Sequence, residues 1–365
     1  MRPYQPEKLP LKNLDWAAFV RYIGPANRAI ARYDGMLQAV LNPELLLSPL
    51  MVQEAVMSSQ IEGTQATLEE VMAFEGAGQS PKEESKRNDI QEIINYRSAM
   101  RAAIDEMNKR PVNLNLLHKM HYILLDSVRG RDKARGEFRK TQNYIGKPGT
   151  PIEQAKFIPP DPLTVMEHMS NLEKYVHYEE QDALVQLAVI HAQFELIHPY
   201  VDGNGRLGRI IIPLILYGKK VLSSPMFYLS AYLETHREEY YERLNAISRE
   251  RDWTGWITFF LKAVIEQAKI NTDKVRSILD LYEVKKSRVA ELTSSKYAIQ
   301  TVDALFRMPS FTASRFIENS RIPKRTAMRI LQVLTEKAVI DAVSEGAGRT
   351  PGVYQFKKLM RIIQI

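Results

Sequence analysis

The stretch His198-Pro199-Tyr200-Val201-Asp202-Gly203-Asn204-Gly205-Arg206-Leu207-Gly208-Arg209 brings together an imidazole, a carboxylate, three glycines and two guanidinium groups. Gly203, Gly205 and Gly208 fit G-x-G-x-x-G, the dinucleotide-binding pattern, but that pattern needs a strand before it and an acid about 20 residues after it. Here Leu184, Leu187, Ala188, His191, Phe194 and Ile197 recur at helical spacing before it, and no acid lies around Ser223. The spacing predicts a helix ending near Ile197, a turn at Pro199 and a new helix from about Asn204. Gly203-Asn204-Gly205 then offers unpaired N–H groups at a helix N-terminus, where backbone donors and the macrodipole favour an anion such as phosphate. Arg206 and Arg209, three residues apart, share one face and extend the positive surface to more phosphates than the backbone alone could hold. Asp202 beside this cationic cluster makes sense with a divalent cation between carboxylate and phosphate, the usual setting of Mg²⁺. His198 falls at the preceding helix end, where arginine charge should lower its pKa and keep it neutral, as a general base must be.

This string resembles the Fic family motif, H-P-F-x-(D or E)-G-N-G-R-x-x-R, with Tyr200 in place of Phe. A second stretch supports the resemblance. Arg135-Gly-Glu-Phe-Arg-Lys-Thr-Gln-Asn-Tyr-Ile-Gly, followed by Ala155-Lys-Phe-Ile-Pro-Pro, looks like the family's flap, a β-hairpin that aligns a target segment by strand addition. Read alone, its glycines, prolines and short β-favouring pieces already predict a hairpin-like excursion between helices. The resemblance covers about Leu114 to Lys262 and implies a mostly α protein with a Fic-type helical bundle. It also implies transfer of AMP from ATP to a Ser, Thr or Tyr hydroxyl of a protein, the chain itself included, by a Mg²⁺-dependent protein adenylyltransferase.

Carried over by position, His198 would deprotonate the target hydroxyl and Asp202 would hold Mg²⁺. Gly203, Asn204 and Gly205 would bind the α- and β-phosphates, Arg206 the β-phosphate and Arg209 the γ-phosphate. Tyr240 and Tyr241 resemble adenine-side residues, although the family often has Asn where Ser248 stands here. Asn143, Tyr144, Ile145 and Gly146 would be the flap's target-binding residues. Upstream, Ser58-Ser59-Gln60-Ile61-Glu62-Gly63 resembles the family's inhibitory motif, (S or T)-x-x-x-E-(G or N). Ser58 and Glu62 are four apart and share a helix face, and Gly63 is placed to end that helix with Glu62 in its last turn. A Glu62 carboxylate docked on Arg209 would remove the γ-phosphate partner and hold activity down. Two rivals remain at this point. One removes AMP or uses another nucleotide at the same site; the other is a DNA-binding regulator whose nucleotide site only senses ligand. His118 and His121, three apart, read as ordinary helix residues for want of a carboxylate on their face, and His191 reads as a core or support histidine.

Positioning these groups takes a helical body. Helices are expected over Leu50 to Ile61, Leu114 to Leu125, Asp161 to Tyr175, Asp182 to Ile197, Asn204 to Leu216, Thr235 to Glu250 and Trp253 to Ala268. Gly24-Pro25, Asn42-Pro43 and Ser48-Pro49 are expected helix boundaries, because the residue before Pro is pushed out of the α region. The 365 residues favour two or three cores, and 45% hydrophobic with 25% charged residues is a globular composition. Zero Cys excludes disulfides, zinc thiolates, iron–sulfur ligation and a thiol nucleophile. The start, MRPYQPEKLP, has no apolar signal core, and the run Ile210 to Tyr217 is far short of the about 18 residues a membrane span needs. The expectation is a cytoplasmic protein without membrane contact.

Net charge is +7, but residues 285 to 365 hold 15 Lys and Arg against 6 Asp and Glu, which leaves the rest slightly acidic. From Tyr297 the pattern predicts helices over Ala298 to Arg307, Thr312 to Glu318 and Pro323 to Lys337. Two short strands follow, around a Gly346-Ala-Gly348 loop, and the order resembles a winged helix-turn-helix. Ala327, Leu331 and Leu334 make its inward stripe. Arg321, Lys324, Arg325 and Arg329 are candidate DNA contacts, with protein contact or a homodimer as the other use of such a module. The expected organisation is a helical regulatory region over 1–110, a Fic core over 111–270, a connecting segment over 271–296 whose form is open, and the winged helix over 297–365.

Overall fold

The computed structural model describes residues 2–78, 80–126, 133–146, 149, 151–344 and 351–364. The first helices are α1 (Trp16–Gln38), α2 (Pro43–Leu46), α3 (Ser48–Ile61), α4 (Leu68–Ala77) and α5 (Glu84–Met107). The middle of the chain forms α6 (Leu114–Leu124), α7 (Val165–Val176), α8 (Ala183–Ile197), α9 (Asn204–Gly218), α10 (Ser230–Thr235), α11 (Arg237–Glu250) and α12 (Trp253–Thr293). The last part forms α13 (Ala298–Arg307), β1 (Ser310–Thr312), α14 (Ala313–Ser320), α15 (Lys324–Glu336), β2 (Asp341–Ser344), β3 (Val353–Gln355) and α16 (Lys357–Gln364). The chain divides into two compact units that interleave along the sequence. One comprises residues 1–34, 57–64 and 94–269, the other 35–56, 65–93 and 270–365.

In the first unit α8 is the central helix, with nearly every side chain buried, and it packs against α7, α9 and α11. Asp182 caps its start, accepting from the N–H groups of Leu184 and Val185. Gly24-Pro25 does not end α1, which runs through with Pro25 inside. Interior Pro costs about 3 kcal/mol, yet Phe19, Ala26, Ile30 and Tyr33 are all buried on one face of α1. Each large apolar side chain so buried contributes about 1.5–3 kcal/mol, which outweighs the lost hydrogen bond. The boundary at Asn42-Pro43 holds, because Asn42 caps α2 by accepting from Leu45 N–H with Pro43 in the first turn. Helix α12 begins at Trp253 as expected but continues to Thr293, so much of the expected connecting segment is the second half of one 41-residue helix.

In the second unit a three-stranded antiparallel sheet has the order β1-β3-β2, pairing Ser310 with Gln355 and Asp341 with Gln355. Strand β1 and helix α16 are additions to the elements that the sequence pattern predicts. Helix α4 packs so closely on β1 that a Cβ at Gly76 would lie 1.6 Å from the Ser310 carbonyl oxygen. Ala327, Ile330, Leu331 and Leu334 bury one face of α15, which leaves Arg325, Arg329 and Gln332 outside. The Gly346 to Gly348 loop lies outside the described residues.

Candidate active site

Helix α8 ends at Ile197, and His198 closes it in the left-handed conformation, with φ 50° and ψ 60°. For a residue with a Cβ this is an uncommon backbone that the surroundings must hold. Arg139 does so. Its Nε donates to His198 O at 2.9 Å and Nη2 to Pro160 O at 2.5 Å, while its own N–H donates to Pro199 O at 2.9 Å. The guanidinium is buried and meets carbonyl groups, so burial, with Asp161 opposing, lowers its pKa to about 10. The His198 ring turns Nδ1 to the Glu195 carbonyl at 3.3 Å. With the proton on Nδ1, Nε2 is left as the basic nitrogen of the cavity. The His198 pKa is pushed down to about 4, and the leading cause is burial rather than the arginine charge expected from sequence. The Glu195 carbonyl, Glu62 and Asp202 act in the opposite direction, and Arg139 adds to the lowering.

The turn from His198 into α9 is fixed by side chains folding back on its backbone. Asn204 accepts from Tyr200 N–H and donates to Tyr200 O, both at 2.9 Å. Its side-chain amide is therefore engaged in the loop, which leaves the backbone N–H as the group Asn204 can offer an anion. Gly203 starts α9 with φ 77°, and a Cβ there would press on Leu125 and Leu124 at 3.3 and 3.4 Å. His121 is more than the ordinary helix residue expected. It is fully buried, stacks on Tyr200 with ring centroids 3.8 Å apart, and accepts at Nδ1 from Gly136 N–H at 2.8 Å. Nε2 then carries the proton and donates to Asp202 O at 3.0 Å, which ties the loop to α6. Burial holds the His121 pKa down at about 4. His118 meets the Tyr200 hydroxyl through Nδ1 at 3.2 Å.

On α9, Arg206 is buried with Nη2 3.6 Å from Asp202 Oδ1, which also accepts from Gly203 N–H at 2.6 Å. Arg209 is buried as well. Its Nε donates to Ser58 Oγ at 2.8 Å, and Nη2 donates to Ser58 O at 2.9 Å and to Glu62 Oε1 at 2.6 Å. Burial opposes charge on Arg209, but Glu62 foremost, with Tyr240 and Glu195, outweighs it, and the pKa is raised. Glu62 lies one residue beyond the end of α3, before Gly63 with φ 100°. A Cβ at Gly205 would lie 2.2 Å from Glu62 Oε1, so the carboxylate rests on the first turn of α9.

A cavity of about 640 Å³ adjoins this turn, and of the candidate phosphate and metal residues Gly205 and Arg209 line it, while Asp202, Gly203, Asn204 and Arg206 are not in its lining. Glu62, Gly205, Arg209, Glu195 and His198 form one side, Tyr240, Tyr241, Leu244 and Asn245 of α11 another, and Tyr144 to Gly146 with Lys156 and Phe157 a third. Tyr240 is fully buried and its hydroxyl meets His191 Nε2 at 3.0 Å, while His191 Nδ1 meets Gly208 O at 3.2 Å. That is the support role expected of His191. Tyr241 is partly exposed. Ser248 hydrogen-bonds Asn245 O, and Asn245, one turn earlier, is the amide on the cavity wall. The flap residues pair through Ile145 and Phe157, with Ile145 N–H donating to Phe157 O at 2.9 Å and Lys156 N–H to Ile145 O at 2.8 Å. Residues 147, 148 and 150 lie outside the described residues. Arg139, Glu195 and Asn245 carry no role in the sequence pattern, although Arg139 lies in the stretch that resembles the flap, and His121 reads there only as a helix residue.

A turn between two buried helices that carries a basic imidazole, an anion-ready helix start and an arginine is the geometry of a Fic fold. Residues 20–105 match the Fic/DOC family N-terminal model and residues 111–216 the Fic/DOC family model, and the chain belongs to that family. A Fic family protein from Desulfovibrio desulfuricans has the same fold, with TM-score 0.61 and 22% identity over 97% of this chain and 98% of that one. A probable protein adenylyltransferase of Aquifex aeolicus is 35% identical over 85 residues, which are 23% of this chain and 27% of that protein. The protein adenylyltransferase Fic of Culex quinquefasciatus is 27% identical over 224 residues, 57% of this chain and 39% of that protein. The chain thus spans less than half the length of these curated relatives. Among the described residues, no helix is long and apolar enough to cross a membrane.

Proposed function

We propose that the chain is a Mg²⁺-dependent protein adenylyltransferase, moving AMP from ATP to a Ser, Thr or Tyr hydroxyl of a protein, and that Glu62 holds it in check. The observation that carries this reading is that one cavity contains both His198 with a basic Nε2 and the N-terminus of α9 with Arg209. The relatives named protein adenylyltransferase support it. In the reaction the target oxygen bonds to the α-phosphorus as its proton passes to His198 Nε2. The bond to the pyrophosphate oxygen breaks and pyrophosphate leaves. The N–H groups of Gly203, Asn204 and Gly205 with Arg206 receive the α- and β-phosphates, and Arg209 receives the γ-phosphate. Catalysis then rests on positioning and charge neutralisation.

Asp202 is the residue that fits Mg²⁺. Its side chain is 45% exposed, and its hydrogen bond from Gly203 falls on Oδ1. An ion held there would take one ligand from Asp202 and the others from substrate phosphates and water, the usual setting of Mg²⁺. Bound there, it would supply charge neutralisation at the phosphates. Tyr144 and Ile145, exposed beside the cavity, suit an edge to which a target strand adds.

The full chain carrying Glu62→Gly, incubated with Mg-ATP and read by mass spectrometry, tests the reaction class. AMP added to the chain's own hydroxyls, and lost about 10²- to 10⁴-fold in His198→Ala with ATP binding kept, is the expected result. Binding of ATP without transfer would leave the site a sensor, and loss of AMP from a modified protein would reverse the direction.

The second unit supports a winged helix that meets nucleic acid. Arg321, Lys324 and Arg325 are exposed around the start of α15, and none makes an ion pair among the described residues. Arg329 is different, since both its η nitrogens donate to Thr293 O at 3.3 Å and so cap α12. Of the four candidate DNA contacts, Arg321, Lys324 and Arg325 are the ones proposed to meet phosphates.

A further inference from the structure

Glu195 stands on the last turn of α8, three residues before His198, in the wall of the same cavity. Its Oε1 is shut off from solvent and accepts no hydrogen bond among the described residues. A Cβ at Gly208 would lie 2.2 Å from that oxygen, so the carboxyl rests on α9 one turn after the place where Glu62 rests on it. Both carboxyl groups act on the charge of Arg209, and among the described residues Glu62 pairs with it at 2.6 Å while Glu195 makes no ion pair. The other titratable groups around Glu195 are Tyr240 and Tyr241 from α11, His198 on its own helix and Lys156 from the flap side of the cavity.

We infer that Glu195 couples nucleotide binding at this site to uptake of one proton, because its ionised form competes with the terminal phosphate for Arg209. This rests on the nucleotide reading of the cavity. With Glu62 docked, Arg209 is already neutralised, and Glu195, half-buried in the cavity wall, keeps its Oε1 shut off from solvent and without a donor among the described residues. Burial first, and Glu62 with it, push its pKa up to about 8, against the pull of Arg209. Once Glu62 withdraws, the guanidinium faces Glu195 alone, which favours ionised Glu195 and a Glu195–Arg209 pair. Entry of the polyphosphate reverses this, since phosphate charge takes Arg209 and repels a second anion, so the carboxyl picks up a proton as the nucleotide binds. The sign follows. A group whose proton affinity rises on binding favours the complex at low pH, and that advantage is lost as pH climbs from the free to the bound pKa. Glu195 is a positioning residue in this scheme, acting through Arg209.

Calorimetry of Mg-ATP binding to the full-length Glu62→Gly protein tests this, in two buffers of different ionisation heat, with the affinity followed between about pH 6 and 9. The expected result is proton uptake on binding and an affinity that falls by up to about tenfold per pH unit through the transition. Glu62→Gly combined with Glu195→Gln should bind with no proton uptake and a flat profile. Binding without uptake, or a pH dependence that survives Glu195→Gln, would overturn the inference and leave the nucleotide reading intact. Absence of Mg-ATP binding at every pH would remove the nucleotide reading and the inference together.

Discussion

Oε1 of Glu62 lies 2.6 Å from Nη2 of Arg209, and the same guanidinium is held through Nε and Nη2 by Ser58. The carboxylate thereby rests on the first turn of α9, where an anion is favoured, at the place the proposed function gives to phosphate.

Removing that carboxylate should free both the arginine and the helix start. Glu62→Gly is expected to raise the transfer rate by roughly 5- to 150-fold, the usual span of a coupling between sites. Arg209→Ala should be slow with or without Glu62, because in the proposed reaction the arginine binds the γ-phosphate as well as Glu62. Rates of the two single variants and the double variant measure this coupling.

Gly205→Ala separates two ways of displacing Glu62. The added Cβ would meet Glu62 Oε1 at 2.2 Å and Arg209 Nη1 at 3.0 Å, so the carboxylate must leave. The methyl group then occupies the space it vacates. Nucleotide affinity should therefore fall, and the gain seen with Glu62→Gly should not appear. An increase in rate for Gly205→Ala would show that the phosphates settle elsewhere.

Two fully buried histidines make the fold sensitive to acid. His121 and His191 have pKa values held down at about 4 and about 3, burial being the first cause of each. Both lie below the unfolded value, so the folded form binds fewer protons, and stability present above about pH 6.5 is lost as pH falls. Each histidine should cost about 1.4 kcal/mol per pH unit on that slope. Unfolding midpoints in denaturant between about pH 7 and 5 should fall accordingly. His191→Gln should flatten the slope by one proton.

Lys324→Ala and Arg325→Ala should each reduce the salt dependence of duplex DNA binding by about one unit of slope. Arg329→Ala should instead lower stability, because it removes the cap on the Thr293 carbonyl. Salt titrations and thermal melts of the three variants distinguish the roles. If the unaltered chain shows no salt-sensitive DNA binding, the module serves protein contact.

What was legible from the residues alone is what local chemistry decides. Pro199 disfavours continuation of the helix before it and Gly203 supplies the positive φ at which a new one starts, so the turn with His198, Asp202 and the arginines is legible in the residues themselves. The stripe of α8, its start at about Asp182, the helix boundary at Asn42-Pro43 and the inward face of α15 followed for the same reason. Each depends on neighbours within a turn or two. Tertiary structure decided the rest. Glu62 and Arg209 stand 147 positions apart, and only folding of residues 57–64 into the first unit lets one carboxylate reach that guanidinium. Burial, which no local pattern reports, lowers the His198 pKa and shuts Glu195 Oε1 off from solvent without a donor among the described residues. It also carried α1 through Pro25, because core packing along a whole helix face exceeds the loss of one backbone bond. His121 and Arg139 show the same division, since each has a plain sequence setting and acquires its role from carbonyl groups brought to it by distant parts of the chain.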